Sequence, residues 1–202
     1  MARKTVEDSL KTRDAILEAA EVVFIRKGIR HSTIADIAEE AEMSRGAVYG
    51  HFKSKVDVAV AAITRVLADI KELERPTGEG AINYLYRSGL NKLHLMVDSS
   101  QVQRILFILS MRSDETPELI QIRHYWEKRH QTRVSELLEE AIANEEVAAE
   151  TDTKLMTFYF QTIIDGIFCT LFWGNDNPDN LWSIAETIYK KAFLSLVSRT
   201  SS

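Results

Sequence analysis

The sequence predicts an all-α protein in two parts, and three observations carry that prediction. Apolar residues recur at helical spacing from Ile16 to Val197, strand-like alternation is absent, and helix-start signals punctuate the chain. About nine helices fit the 202 residues: an N-terminal three-helix unit with a helix-turn-helix over residues 1–55, and a C-terminal helical bundle over 56–202. With 45% hydrophobic residues the chain can bury a substantial core.

Residues 1–9 are polar and mixed in charge, and read as an arm. Arg3, Lys4 and Lys11 there either reach a minor groove or fray into solvent. A helix of about five turns follows, with Ile16, Leu17, Ala20, Val23 and Phe24 inward and Gly28 as its stop. Thr33 caps a short helix carrying Ile34, Ile37, Ala38 and Ala41, with Asp36 as capping-box partner. The stripe breaks at Glu42-Met43, and Ser44 caps a second short helix from Arg45 to about His51. Two capped helices joined by so short a turn form a helix-turn-helix.

On the second helix Val48 and Phe52 face inward, while Arg45, Gly46, Tyr49, Gly50 and Lys53 face out. The forked guanidinium of Arg45 suits the O6 and N7 of guanine in a major groove. Gly46 and Gly50 let the backbone approach closely, although each weakens the helix by up to about 1 kcal/mol relative to alanine. Tyr49, His51, Lys53 and Lys55 can donate to phosphates, which sets register without reading sequence. For His51 a structural hydrogen bond fits equally well. Ser54 with Asp57 opens the next helix, which runs to about Leu73 with Val56, Val60, Ile63, Val66, Leu67 and Ile70 on its apolar side. It reads as a connecting rod between the two parts.

Thr33-Ile-Ala-Asp-Ile-Ala38, followed by Ser44-Arg-Gly-Ala-Val-Tyr-Gly-His-Phe-Lys-Ser-Lys55, resembles the DNA-binding domain of TetR-family repressors over about Thr12 to Ile63. The opening Met-Ala-Arg-Lys-Thr and the run from Arg45 to Lys53 are most similar to AcrR-like regulators of multidrug efflux. The resemblance implies that Thr33, Arg45, Tyr49, His51 and Lys55 contact DNA, with Ser44, Gly46 and Ala47 close to the duplex. Two departures stand out. Glu42 occupies the turn position where AcrR-like proteins usually carry glycine, so the turn bends without it or holds a residue at positive φ. Gly50 occupies a position where they usually carry a large aromatic.

Glu74-Arg-Pro-Thr-Gly-Glu-Gly80 breaks the pattern and marks a loop. Beyond it Ile82, Leu85, Gly89, Leu93 and Met96 mark one helix, and Val102, Ile105, Leu106 and Leu109 the next. Thr116-Pro117 opens a long helix through Ile122, Trp126, Leu137, Leu138 and Ile142. The stretch Leu155 to Trp173 is apolar around its whole circumference and needs burial on several sides. A last helix follows Asn177-Pro178. Two such helices from each of two subunits can build a four-helix interface. The homodimer that results would place paired recognition helices about 34–36 Å apart on a palindromic operator.

By resemblance the C-terminal part holds a chamber for a small lipophilic, often cationic or aromatic inducer. Candidate lining residues are Leu93, Met96, Val97, Met111, Trp126, Ile164, Asp165, Phe168 and Phe172. Asp165 is a carboxylate in an apolar stretch, costly unless it pairs with a neighbouring helix or a ligand cation.

Charge and cysteine usage narrow the classes further. Residues 1–65 hold 11 of the 25 basic and 10 of the 30 acidic side chains, leaving 14 and 20 for the rest, so the DNA-facing end is the less acidic. Single Cys169 excludes a disulfide framework and a cysteine-rich zinc site. With no apolar signal segment and no bilayer-spanning run, the reading is cytoplasmic, with no membrane partner. No phosphate loop, His-Glu-x-x-His pair or nucleophile elbow points to an enzyme. His94, His124 and His130 lack spaced metal-ligand partners, so neither metal nor cofactor is implied. A helical protein-binding adaptor would leave Arg45 and Tyr49 without a task. The expected function is a ligand-responsive repressor, of a multidrug efflux operon or of another metabolic or stress operon.

Overall fold

The computed structural model describes residues 6–110, 116–172 and 180–197. Among these there is no strand, and the helices are α1 (Val6–His31), α2 (Ile34–Glu40), α3 (Arg45–Tyr49), α4 (Lys55–Asp69), α5 (Ala81–Asp98), α6 (Ser100–Ser110), α7 (Pro117–Ala143), α8 (Thr153–Phe172) and α9 (Leu181–Val197). Two compact units divide them: Met1–Lys71 with Gln101–His124, and Glu72–Ser100 with Tyr125–Ser202.

In the first unit α1 packs on α2 and α4, and α2 on α3. The inward face of α1 is the expected one, with Ile16, Leu17, Ala20, Val23 and Phe24 all buried. The helix begins at Val6, inside the stretch read as an arm, with Lys11 paired to Glu7 at 2.7 Å. At Gly28 the backbone turns to φ 72, ψ 158, which ends the regular part of α1 at the expected stop. α4 ends at Asp69, short of the expected Leu73, because Ile70 is already extended. Its buried face is Val58, Ala59, Ala62, Ile63, Val66 and Leu67, so Val56 and Val60 sit at the margin rather than at the centre.

Among the described residues of this unit one charged side chain is fully buried. The Glu21 carboxylate of α1 has no solvent exposure. Its Oε1 accepts from Arg65 Nη2 of α4 at 3.0 Å and Gln101 Nε2 of α6 at 3.2 Å. Oε2 accepts from Arg104 Nε and Nη2 of α6 at 3.1 and 2.9 Å. Three helices are thereby tied to one carboxylate, which is how a buried charge is normally tolerated.

In the second unit α5 packs on α8 and α9, and α8 on α9. Glu146 caps α5 by accepting from the Ala81 and Ile82 amides, each at 2.9 Å. α7 ends in a Schellman turn, with Glu145 at φ 59 and Glu146 N donating to Ala141 O at 2.8 Å. Thr116 precedes Pro117 as expected, but among the described residues its Oγ1 has no hydrogen-bond partner, and its carbonyl serves the helix by accepting from Ile120 N at 3.0 Å. The second cap-and-proline start, Asn177-Pro178, lies outside the described residues.

The turn between α2 and α3 shows how the chain bends without glycine. Glu42 sits at φ 54, Met43 N donates to Ala38 O at 2.8 Å and Glu42 N to Glu39 O at 3.0 Å. These are the two bonds of a Schellman motif with a non-glycine residue in the left-handed position. Such a residue costs about 1–2 kcal/mol. Glu42→Gly is therefore expected to raise stability by about 1 kcal/mol, part of the relief being offset by the freer unfolded chain. Urea unfolding of the two proteins checks this; an unchanged midpoint would mean the turn is unstrained.

Candidate nucleic-acid interface

α3 is held in place by short-range bonds that its sequence specifies. Thr33 Oγ1 accepts from Asp36 N at 3.1 Å while the Asp36 carboxylate accepts from Thr33 N at 2.8 Å, a complete capping box. Lys27 Nζ reaches Asp36 at 2.6 Å and Arg26 reaches Glu40 at 3.0 Å, fastening α2 to α1. The Asp36 carboxyl is held down to about 2, first by the bond from Lys27 and then by those from Thr33. Ser44 Oγ accepts from Ala47 N at 3.1 Å, and Ser54 Oγ accepts from Asp57 N at 3.1 Å. Val48 and Phe52 are buried beneath, with the Arg13 guanidinium 5.2 Å above the Phe52 ring.

This scaffold turns one face of α3 outward. Arg45, Gly46 and Tyr49 are exposed, as are Ser44, Lys53 and Thr33, and Ala47 is half-buried. Tyr49 keeps 58% of its surface accessible, which is unusual for an aromatic in so small a unit. Arg45 has no ion pair or hydrogen bond among the described residues. Gly50 lies at φ −67, ψ −18, a conformation open to any residue, so its lack of a side chain is not a demand of the turn. His51 is half-buried against Phe52, ring centroids 6.4 Å apart.

Lys55 is differently placed. Its ammonium donates to Arg30 O at 2.7 Å and Ser32 O at 2.8 Å, satisfying carbonyls at the end of α1. What it offers an approaching phosphate is charge and one remaining proton. Residue spacing carries no signal for this tie, which spans 25 residues.

In the second unit Leu93 and Met96 of α5 and Ile164 and Phe168 of α8 are buried, and Val97 and Trp126 are half-buried. Met111 and the side chain of Phe172 lie outside the described residues. Asp165 is exposed and accepts from Gln161 Nε2 at 2.6 Å, so the burial cost expected of it does not arise in the single chain. The unexpected ionisable groups here are Lys92 and His130, both half-buried. Burial pushes the Lys92 ammonium down, with Asp165 opposing. Burial and then nearby Lys92 pull His130 from its ordinary 6.5 to about 3. Lys92 directly precedes Leu93 and lies one turn before Met96, and that register on an apolar helix face was the available signal.

His130 has a consequence for acid stability. Between about pH 6.5 and 3 the unfolded chain holds this proton and the folded chain does not. Stability is therefore expected to fall as pH drops through that window, at up to about 1.4 kcal/mol per pH unit from this group. Denaturant titrations at pH 7 and pH 5 should show a smaller difference for His130→Gln than for the unsubstituted protein. An equal difference would place the loss on other groups.

Capped α2 and α3 with an outward Arg-Tyr face define a helix-turn-helix DNA-binding regulator. The chain belongs to the TetR family: residues 16–62 match the family model of bacterial regulatory proteins, tetR family. It is similar over its length to MexZ, described as a key repressor responsible for antibiotic resistance in Pseudomonas aeruginosa. That structure superposes with a TM-score of 0.81 at 37% identity, covering 92% of this chain and 94% of the other. NalD, the secondary repressor of the MexAB-OprM multidrug efflux pump in the same organism, superposes at 0.76 with 25% identity, over 94% and 98%. The regulator TtgR of Pseudomonas putida is 28% identical over 93% of each chain. The protein is a TetR-family transcriptional repressor, with efflux regulators among its relatives, and not an enzyme. Among the described residues no helix is long and apolar enough to cross a membrane.

Proposed function

We propose that the protein is a dimeric, ligand-released repressor of a multidrug efflux operon, acting in the cytoplasm. Residues 1–55 form the DNA-binding part, with Thr33, Ser44, Arg45, Gly46, Ala47, Tyr49, His51, Lys53 and Lys55 at or beside the duplex. Residues 56–202 form the sensing and dimerising part. The observation that carries this reading is the exposed Arg45–Tyr49 face of α3, where Arg45 has no ion pair or hydrogen bond among the described residues. MexZ and NalD, repressors named for antibiotic resistance and an efflux pump, support the operon class.

The dimer rests on α8 and α9. Leu155 is 64% exposed, Phe158 50%, Ile188 43% and Leu194 56%, apolar surface that a single chain leaves in water. A second copy covering it sets the spacing of the two α3 helices on a palindrome. Ligand in the second unit then acts through α4, which packs on α1 and so carries the helix-turn-helix with it. For each tenfold loss of DNA affinity the ligand must favour the DNA-free state by about 1.4 kcal/mol.

The test is retardation of the DNA upstream of the protein's own gene, by full-length protein, across a salt series. Selective binding that weakens steeply with salt supports the reading. Absence of selectivity there and across a randomised-sequence selection would overturn it. An inducer that binds free and DNA-bound protein equally would overturn the release mechanism.

A further inference from the structure

Three helices of the second unit bring polar groups into an apolar setting. Ser88 and Lys92 lie one turn apart on α5, Gln161 and Asp165 one turn apart on α8, and α5 packs on α8. Lys92 is within electrostatic reach of Asp165 and of His130 on α7, so all three helices meet near its ammonium. Ser88 Oγ and Gln161 Oε1 are both buried without a hydrogen-bond partner among the described residues. Lys92 has no hydrogen bond or ion pair among the described residues, although it is half-buried. On the same helices Leu93, Met96, Ile164 and Phe168 are buried.

Each of these groups costs stability as it stands. A buried oxygen without a partner costs about 1–3 kcal/mol, and a desolvated cation more. Asp165 does not compensate Lys92: it is turned to solvent, occupied by Gln161 and beyond ion-pair distance. His130 offers no negative charge. Groups left unsatisfied together beside apolar side chains are what a preformed recognition site presents before its ligand arrives.

We propose that this junction selects an apolar effector by an anionic or strongly accepting oxygen, such as a phenolate, carboxylate or sulfonate, held by Lys92 Nζ, with Gln161 Oε1 and Ser88 Oγ taking the effector's remaining polar groups. The inference rests on reading the second unit as the sensor, and narrows the lipophilic, often cationic or aromatic, effector implied by resemblance to an apolar anion. A cationic head would be set beside an uncompensated ammonium.

Fluorescence titration of the full-length protein tests it with two probes, the apolar anion 8-anilinonaphthalene-1-sulfonate and the apolar cation rhodamine 6G. Lys92→Met keeps the stem and removes the charge; Lys154→Met, at an exposed site on α8, controls for general electrostatics. The sulfonate is expected to bind about tenfold more weakly to Lys92→Met, to bind Lys154→Met unchanged, and rhodamine 6G to lose nothing. Lys92→Met should melt no lower than the unsubstituted protein, since it discards an unpaired half-buried cation. Equal sulfonate affinity in the unsubstituted protein and Lys92→Met, or a fall in melting temperature showing that Lys92 holds a structural partner, would overturn the proposal. Repeating the titration with upstream DNA bound separates the two readings. Lys92-dependent binding that leaves DNA affinity unaltered keeps the anion site and removes the sensor; DNA release by the sulfonate that ignores Lys92 does the reverse.

Discussion

Arg45→Ala is expected to remove operator-selective binding while leaving the fold intact. Arg45 opens α3, is exposed, and makes no ion pair or hydrogen bond among the described residues, so its loss strands no partner. A bidentate arginine–guanine contact discriminates by about 1–3 kcal/mol. Two subunits on a palindrome double that to about 2–6 kcal/mol, a loss of roughly 30-fold to 10⁴-fold. Anisotropy titrations on operator and scrambled DNA should converge for Arg45→Ala, with the melting temperature unchanged. Lys53→Ala should differ in kind, weakening both DNAs alike and reducing the salt slope by about one for every phosphate no longer neutralised. If Arg45→Ala weakened operator and scrambled DNA equally, Arg45 would be a phosphate contact and base reading would pass to Tyr49 or to the backbone at Gly46.

What is legible in the sequence is local. Caps at Thr33, Ser44 and Ser54 act over three residues, so the helix-turn-helix can be drawn from spacing alone; how the turn bends at Glu42, with its positive φ, is seen only in the structure. Ends and charges set by distant partners are not legible. Ile70 and Leu73 continue the apolar stripe of α4, yet the helix stops at Asp69, well before the Arg75-Pro76 step that disfavours helix. The segment beyond is claimed by tertiary pairs, Arg129 with Glu72 at 2.8 Å and Arg75 with Glu140 at 2.6 Å. Asp165 stands out in the sequence because its neighbours are apolar, but helix rotation places it outward. Lys92 and His130 stand out little: solvation is the usual fate of such residues, and the register of Lys92 beside Leu93 and Met96 becomes telling only once α5 packs on α8 and α9.

Glu21 is the extreme case of that kind, and the largest stability effect is expected there. It occupies an inward register of α1, between Leu17 and Phe24, where the stripe calls for an apolar residue. Glu21→Leu fits that register in size and would look benign by pattern. It should instead cost about 3–5 kcal/mol, because Arg65 and Arg104 lose a common acceptor while their own side chains stay partly buried, at 20% and 30% exposure. For a chain of this size that is a fall in melting temperature of roughly 6–20 °C. Arg65 keeps Asp14 at 3.1 Å. Pairing Glu21→Leu with Arg104→Met should recover part of the stability, since both ends of a buried ion pair can be replaced by apolar groups far more cheaply than one. A double mutant as unstable as the sum of its parts would show that Glu21 and Arg104 act independently. Recovery would show that the cost of Glu21→Leu lies in the stranded guanidinium, and that α6, with Val102, Ile105 and Ile108 buried, can dock without this carboxylate.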